Sequence, residues 1–149
     1  MKHKIFIGTD HAGFELKESI KKYLIDSGFE VKDMGAHSLN KDDDYPDFIV
    51  PLAKKVAADQ NSRGIIFGSS GQGEAIAANR IKGARAAMYY GNNIDIIKLS
   101  RTHNNANILS LGAKFLAKEE AIEAVKLWLE TDFGNEERHG RRNKKLDDI

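Results

Sequence analysis

The sequence contains no cysteine, which excludes disulfides, thiolate zinc sites, iron–sulfur clusters and any cysteine nucleophile or base. Net charge of one sign is also lacking. With 23 basic against 22 acidic side chains, the formal charge of +1 gives no global positive field for nucleic acid. The apolar runs are about five residues long, against the ~20 a membrane helix needs. Met1-Lys2-His3-Lys4 followed by Ile5-Phe6-Ile7 and Gly8 lacks the 7–15-residue apolar stretch of a signal peptide, so the expectation is a soluble cytoplasmic protein. What is present is ordinary: 149 residues, 41% hydrophobic and 30% charged, suited to a single domain over 1–149 with one core.

Short β-branched or apolar runs alternate with longer helical patterns. Ile5–Ile7, Glu30–Asp33, Gly64–Phe67, Ala84–Met88 and Ile108–Leu111 read as strands, several without polar alternation and therefore covered on both faces. Leu16, Ile20, Tyr23 and Leu24 form a helical stripe that stops near Ser27-Gly28. Phe48, Leu52 and Val56 form a second, in which Pro51 predicts a late start or a kink. Ile122, Val125 and Leu129, with Trp128, form a third. Such alternation forces parallel pairing, hence a three-layer α/β/α sandwich on a five-stranded parallel sheet. The polar segment 135–149, with Arg138, His139, Arg141, Arg142, Lys144 and Lys145, reads as a basic helix or a solvated tail.

Ligands of such sheets collect beyond the carboxyl ends of the strands. Two unusual segments fall there: Gly8-Thr9-Asp10-His11-Ala12-Gly13 and Gly68-Ser69-Ser70-Gly71-Gln72-Gly73-Glu74. The second is a glycine-rich turn into a helix over Glu74–Arg80, able to aim amides at an anion or a developing oxyanion. Its G-x-x-G-x-G spacing is neither a dinucleotide fingerprint nor a P-loop, and a tight packing turn would use the same residues. Glu74 reads either as an acidic residue favoured by the helix dipole or as a general base. Asp10 reads as the cap of the helix containing Leu16 or as an acceptor for sugar hydroxyls, and His11 as a phosphate donor. His103 suits protonation of an alkoxide near neutral pH, with the Asn104-Asn105-Asn107 run either turn chemistry or ligand contact. Arg138 and Arg142 stand four apart, so on a helix they share a face that fits a phosphate. Asp42-Asp43-Asp44 reads as a solvated acidic loop, and the five histidines show no metal-ligand spacing.

Thr9-Asp10-His11-Ala12-Gly13-Phe14, Asp44-Tyr45-Pro46-Asp47, Gly68 to Glu74 with Ile76-Ala77-Ala78-Asn79-Arg80, Arg101 to Asn107, and Arg138-His139-Gly140-Arg141-Arg142 resemble the signature stretches of one family. This is the ribose-5-phosphate isomerase B / galactose-6-phosphate isomerase family. The matches run in order from residue 8 to residue 142. The resemblance implies a Rossmann-like fold and a cofactor-free aldose–ketose isomerase acting through an enediolate on ribose 5-phosphate. It also implies a homo-oligomer, a dimer or dimer of dimers, with active sites at subunit interfaces. In those terms His103 opens the furanose ring with help from Asp10. The Ser70 hydroxyl and the amides of Ser70, Gly71, Gln72 and Gly73 hold the enediolate oxygen. Asn104 and Tyr45 contact the sugar, while His11, Arg138 and Arg142 grip the phosphate.

Many family members place a cysteine where this chain has Gly68, and that cysteine takes the C2 proton. Here the chain resembles the branch with a glutamate at the helix start, so the resemblance makes Glu74 the base. Lys114 stands where many relatives have arginine, keeping the charge of a phosphate contact but not the fork. Two other readings stand beside this one: a phosphohexose substrate (allose 6-phosphate or galactose 6-phosphate), and a non-catalytic nucleotide-binding module with Asp33 on a ribose.

Overall fold

The computed structural model describes residues 2–149. Five parallel strands, β1 (Lys4–Thr9), β2 (Glu30–Asp33), β3 (Ser62–Gly68), β4 (Ala86–Tyr89) and β5 (Ile108–Gly112), form one sheet in the order β2-β1-β3-β5-β4. Six helices accompany them: α1 (Phe14–Asp26), α2 (Pro46–Ala58), α3 (Gln72–Asn79), α4 (Asp95–Thr102), α5 (Lys118–Glu130) and α6 (Glu137–Asp147).

Strand alternation divides the core in two. Ile5, Ile7, Ile65, Phe67, Leu109 and Leu111 pack with Ile20, Leu24, Ile97, Val125 and Trp128 on one face. Phe6, Ile66 and Ile108 pack with Ile49, Leu52, Val56 and Ala78 on the other. The central strands β1, β3 and β5 are buried on both faces, as their unbroken apolar runs require. The edge strands β2 and β4 are only partly covered, and β4 starts at Ala86, two residues later than the sequence pattern suggests.

Helix α1 ends where expected and shows why. Gly28 takes φ 86°, its N–H donates to Ile25 O, and Phe29 N–H donates to Leu24 O at 3.0 Å. That pair of bonds is the left-handed glycine stop of a helix C-terminus. Pro51 does not delay α2, which starts at Pro46 and runs through it. A proline forfeits one backbone bond, and the buried stripe Ile49, Leu52, Ala53 and Val56 outweighs that loss.

Parallel strands point one way, so each following helix begins at the carboxyl edge of the sheet and returns to the amino edge. The strand order reverses direction around β1 and β3, which opens a crevice between the loops after those two strands.

Candidate active site

At that crevice Asp10 is buried, and its Oδ1 accepts the Ala12 N–H at 3.0 Å. The cap is therefore made to the short 3₁₀ turn His11–Gly13, while α1 starts behind it at Phe14. The glycine-rich loop lies beside it, from β3 into α3. Gly71 has φ 79°, and its carbonyl accepts the Ser110 hydroxyl at 2.7 Å from below the sheet edge. Ser70 Oγ accepts the Gln72 N–H at 3.2 Å, which leaves its own proton to donate. Lys114 follows β5 in a 3₁₀ turn, exposed, with its N–H on Ser69 O at 3.0 Å.

Glu74, in the first turn of α3, is 5% exposed and lies on Gly68. A Cβ at Gly68 would meet Glu74 Oε1 at 1.8 Å and Cδ at 2.0 Å, so the carboxylate occupies the place a side chain at 68 would take. Burial pushes the Glu74 carboxyl above its ordinary value, and the charge of Asp10 pushes the same way against its own backbone N–H. Gly73 admits the Tyr45 ring similarly: a Cβ there would lie 2.7 Å from the phenol oxygen. Tyr45 thus lines the crevice from the start of α2.

If the Glu74 carboxylate is the group that reacts, Gly68→Ala should lower kcat at least ~10-fold by turning it aside, because a small misplacement of a reacting group is enough. Gly68 has no left-handed backbone angle, and the three atoms nearest the added methyl group all belong to the Glu74 carboxylate. An unchanged kcat in a folded variant would mean that the carboxylate position is irrelevant.

The acidic loop departs from its sequence reading. Asp42 and Asp44 are exposed as expected, but the Asp43 side chain is only 9% exposed. Asp43 Oδ1 accepts the His11 N–H at 3.1 Å and lies 2.7 Å from His11 Nδ1. Its partner is 32 residues away, and no local pattern marks it. Asp10, His11 and Asp43 bring one donor atom each within 4.8 Å. Since His11 Nδ1 is already bonded to Asp43, the group reads as an aspartate–histidine pair rather than as metal ligands.

Asp33 is not free to hold a ribose. It accepts Lys17 Nζ at 2.7 and 2.8 Å, Lys21 Nζ at 2.9 Å and the Gly35 N–H at 2.9 Å. Burial alone would push its carboxyl up, but the lysine bonds outweigh it and hold it below the usual range. Lys17, itself fully buried, also donates to Ala36 O at 2.8 Å. This cluster ties α1 to the end of β2 and removes the one feature favouring a nucleotide module.

The remaining predicted residues lie elsewhere. His103 and Asn104 follow α4 and so sit at the amino edge, just before β5. Segment 135–149 contains a helix, α6, which docks there by its buried His139 and Asn143. Asn143 Nδ2 donates to His103 O at 3.1 Å, and Arg85, next to β4, pairs with Asp147 at 3.1 Å. The His139 and His103 rings stack at 4.2 Å and 16°. Burial, then the neighbouring His103, lowers the His139 pKa, which favours a neutral ring under His103. Arg138 and Arg142 are exposed on α6, with Arg138 Nε on Glu136 at 2.8 Å. Sequence reasoning did not single out Arg101. It is buried, bonds Asn105 Oδ1 at 3.0 Å and Ala106 O at 2.6 Å, and fixes the loop carrying His103. Within one chain, then, Asp10, His11, Tyr45, Ser70 to Glu74 and Lys114 share one edge of the sheet. His103, Asn104, Arg138 and Arg142 share the other.

Fold and crevice together define a doubly wound α/β protein with a buried carboxylate and bared amides set at the strand switch point. Residues 5–146 match the family model described as ribose/galactose isomerase, and the chain belongs to that family. It is 41% identical over 139 residues to ribose-5-phosphate isomerase B of Mycolicibacterium paratuberculosis, covering 93% of this chain and 86% of the relative. The solved ribose 5-phosphate isomerase of Thermotoga maritima superimposes with a TM-score of 0.92 at 40% identity, covering 100% of both chains. Ribose-5-phosphate isomerase B from Mycoplasma genitalium, solved with bound ribulose-5-phosphate, gives 0.93 at 36% identity over 99% of this chain and 96% of that one. Among the described residues no helix is long and apolar enough to cross a membrane.

Proposed function

We propose that the protein interconverts D-ribose 5-phosphate and D-ribulose 5-phosphate, with Glu74 as the base. The observation that carries this reading is the Glu74 carboxylate, buried against Gly68 at the mouth of the crevice, beside Asp10 and the amides of the glycine loop. A base with a raised pKa, next to donors for the charge it creates, is what proton abstraction beside a carbonyl needs.

In this mechanism His103 protonates the ring oxygen as its bond to C1 breaks, the C1 hydroxyl gives its proton to water, Asp10 holds a ring hydroxyl, and the furanose opens to the aldehyde. Glu74 takes the C2 proton, and the electron pair left behind forms the C1–C2 double bond as O1 becomes the enediolate oxygen. The amides from Ser70 to Gly73 and the Ser70 hydroxyl hold that charge. Glu74 returns its proton to C1, and the C2 hydroxyl proton passes to O1, which leaves the ketose. Tyr45 and Asn104 border the sugar, and His11, Arg138, Arg142 and Lys114 bind the phosphate. Because the two groups of residues stand on opposite edges of one chain, each site joins the carboxyl edge of one protomer to His103, Asn104 and α6 of a second. The working unit is thus a homodimer or a larger even assembly.

Arg142→Ala is expected to raise KM for ribose 5-phosphate about tenfold or more with the fold intact, as loss of a charge-assisted phosphate contact should. An unchanged KM would leave Arg142 a solvated side chain with no part in phosphate binding. A panel of ribose 5-phosphate, allose 6-phosphate and galactose 6-phosphate tests the substrate: the pentose should give the highest kcat/KM, and a hexose preference would overturn that assignment.

A further inference from the structure

Asp43 has no role in the mechanism above, yet its carboxylate is held against His11 at the crevice mouth. Its side chain is 9% exposed, and one oxygen, Oδ1, receives both the backbone N–H and ring Nδ1 of His11. Its other oxygen, Oδ2, is buried without a partner. Two bonds from one residue fix the His11 ring in orientation as well as in position. They also settle the tautomer. A carboxylate can only accept, so Nδ1 carries a proton whether the ring is neutral or charged. Among the described residues Nε2 makes no hydrogen bond within the chain, and it is the nitrogen left for a ligand.

We propose that Asp43 is the positioning residue for His11, holding the ring so that protonated Nε2 is presented to the substrate's phosphate. The inference rests on the assignment of His11 to the phosphate and extends it. An aspartate near a phosphate site is at first sight unfavourable, because two anions repel. Here the imidazole stands between them. Asp43 stabilises the imidazolium, which then donates to the phosphate from its far side. The carboxylates facing His11 are Asp43 and Asp42 from the loop before α2 and Asp10 from the end of β1. The Asp43 hydrogen bond raises the His11 pKa most, partial burial opposes it, and the charges of Asp10, Asp43 and Asp42 add to the rise. Arginines contributed to the same phosphate by α6 of a second copy act equally on every variant compared below.

The pH dependence follows with a definite sign. Below the raised His11 pKa, Nε2 carries a proton and donates. Above it, Nδ1 keeps the remaining proton for Asp43, and Nε2 faces the phosphate as an acceptor. KM should therefore rise as pH increases through that value, above the second phosphate ionisation near ~6. Asp43→Asn keeps the shape and both hydrogen-bond acceptances at Oδ1 but removes the charge.

The test is KM and kcat for ribose 5-phosphate from pH 6.5 to 9 in the wild-type protein, Asp43→Asn and His11→Ala. The expected result has three parts. The Asp43→Asn curve rises about one pH unit earlier, its KM near pH 7.5 is up about tenfold, and its kcat stays within about twofold. His11→Ala should raise KM at every pH and flatten the profile. A normal KM in His11→Ala would remove His11 from the phosphate site. A raised KM in His11→Ala with an unshifted Asp43→Asn profile would overturn the role of Asp43 alone. Should Asp43→Asn not fold, ¹⁵N-histidine spectra of the wild-type protein decide, with the His11 signal identified by its loss in His11→Ala. Neutral His11 must carry its proton on Nδ1, and a proton on Nε2 refutes the proposal.

Discussion

Glu74→Gln is expected to lower kcat at least ~10²-fold while the protein keeps its fold and its affinity for phosphosugar, because the amide is the same size and cannot take a proton. The buried carboxyl makes two further demands on that variant and its parent. Burial and the Asp10 charge raise the Glu74 pKa, so the acid limb of the wild-type kcat/KM profile should lie above the ordinary 4.5. Between that ordinary value and the raised one, the folded state binds more protons than the unfolded state. Stability therefore falls as pH rises through the window, and the ionised carboxylate is a standing penalty at neutral pH. Glutamine removes the penalty. Glu74→Gln should have a higher Tm than the parent at pH 7–8, and the difference should vanish below the ordinary carboxylate range. Near-normal turnover in the variant would remove Glu74 from the role of base. A lower Tm at neutral pH would mean that its carboxylate is held by contacts rather than strained by burial.

The same residue shows how far the sequence could be read. Glycine spacing placed the turn after β3, and the switch-point rule placed Asp10 opposite it. Both follow from periodicity and topology, which are local properties of the chain. That Gly68 makes room for the Glu74 carboxylate is a matter of six residues folding back on themselves, and spacing alone left Glu74 open between a helix-dipole role and a catalytic one. The burial of Asp43 is hidden from the sequence for a related reason. A run of three aspartates is solvated when nothing lies against it, and what lies against Asp43 is His11, two residues past the end of β1. Asp33 and Lys17 are a third instance: their pairing depends on α1 packing along the end of β2, which no residue near either one announces. Strands β1, β3 and β5 were legible because burial on both faces leaves an unbroken apolar run. The start of β4 was not, because an edge strand is only half constrained.

Mixing two inactive variants should restore activity if each site spans two protomers. His103→Gln removes the proposed ring-opening acid at the amino edge of its own chain and leaves the carboxyl edge intact. Glu74→Gln does the reverse. When the two are co-expressed, mixed dimers carry one site with both defects and one with neither. Random pairing makes about half of the dimers mixed, each with one of two sites sound, so about a quarter of wild-type activity should return. A site contained within one chain behaves differently, since every site in every mixed dimer then keeps one defect and nothing is regained. The two groups of residues stand on opposite edges of one chain. Asn143 fixes His103 O to α6, and Arg101 holds the loop to Ala106 O at 2.6 Å, so a shift of His103 to the opposite edge would have to break both anchors. Activity no greater than the sum of the two variants would therefore overturn the shared site. It would also require an acid other than His103 at the crevice where Glu74 sits.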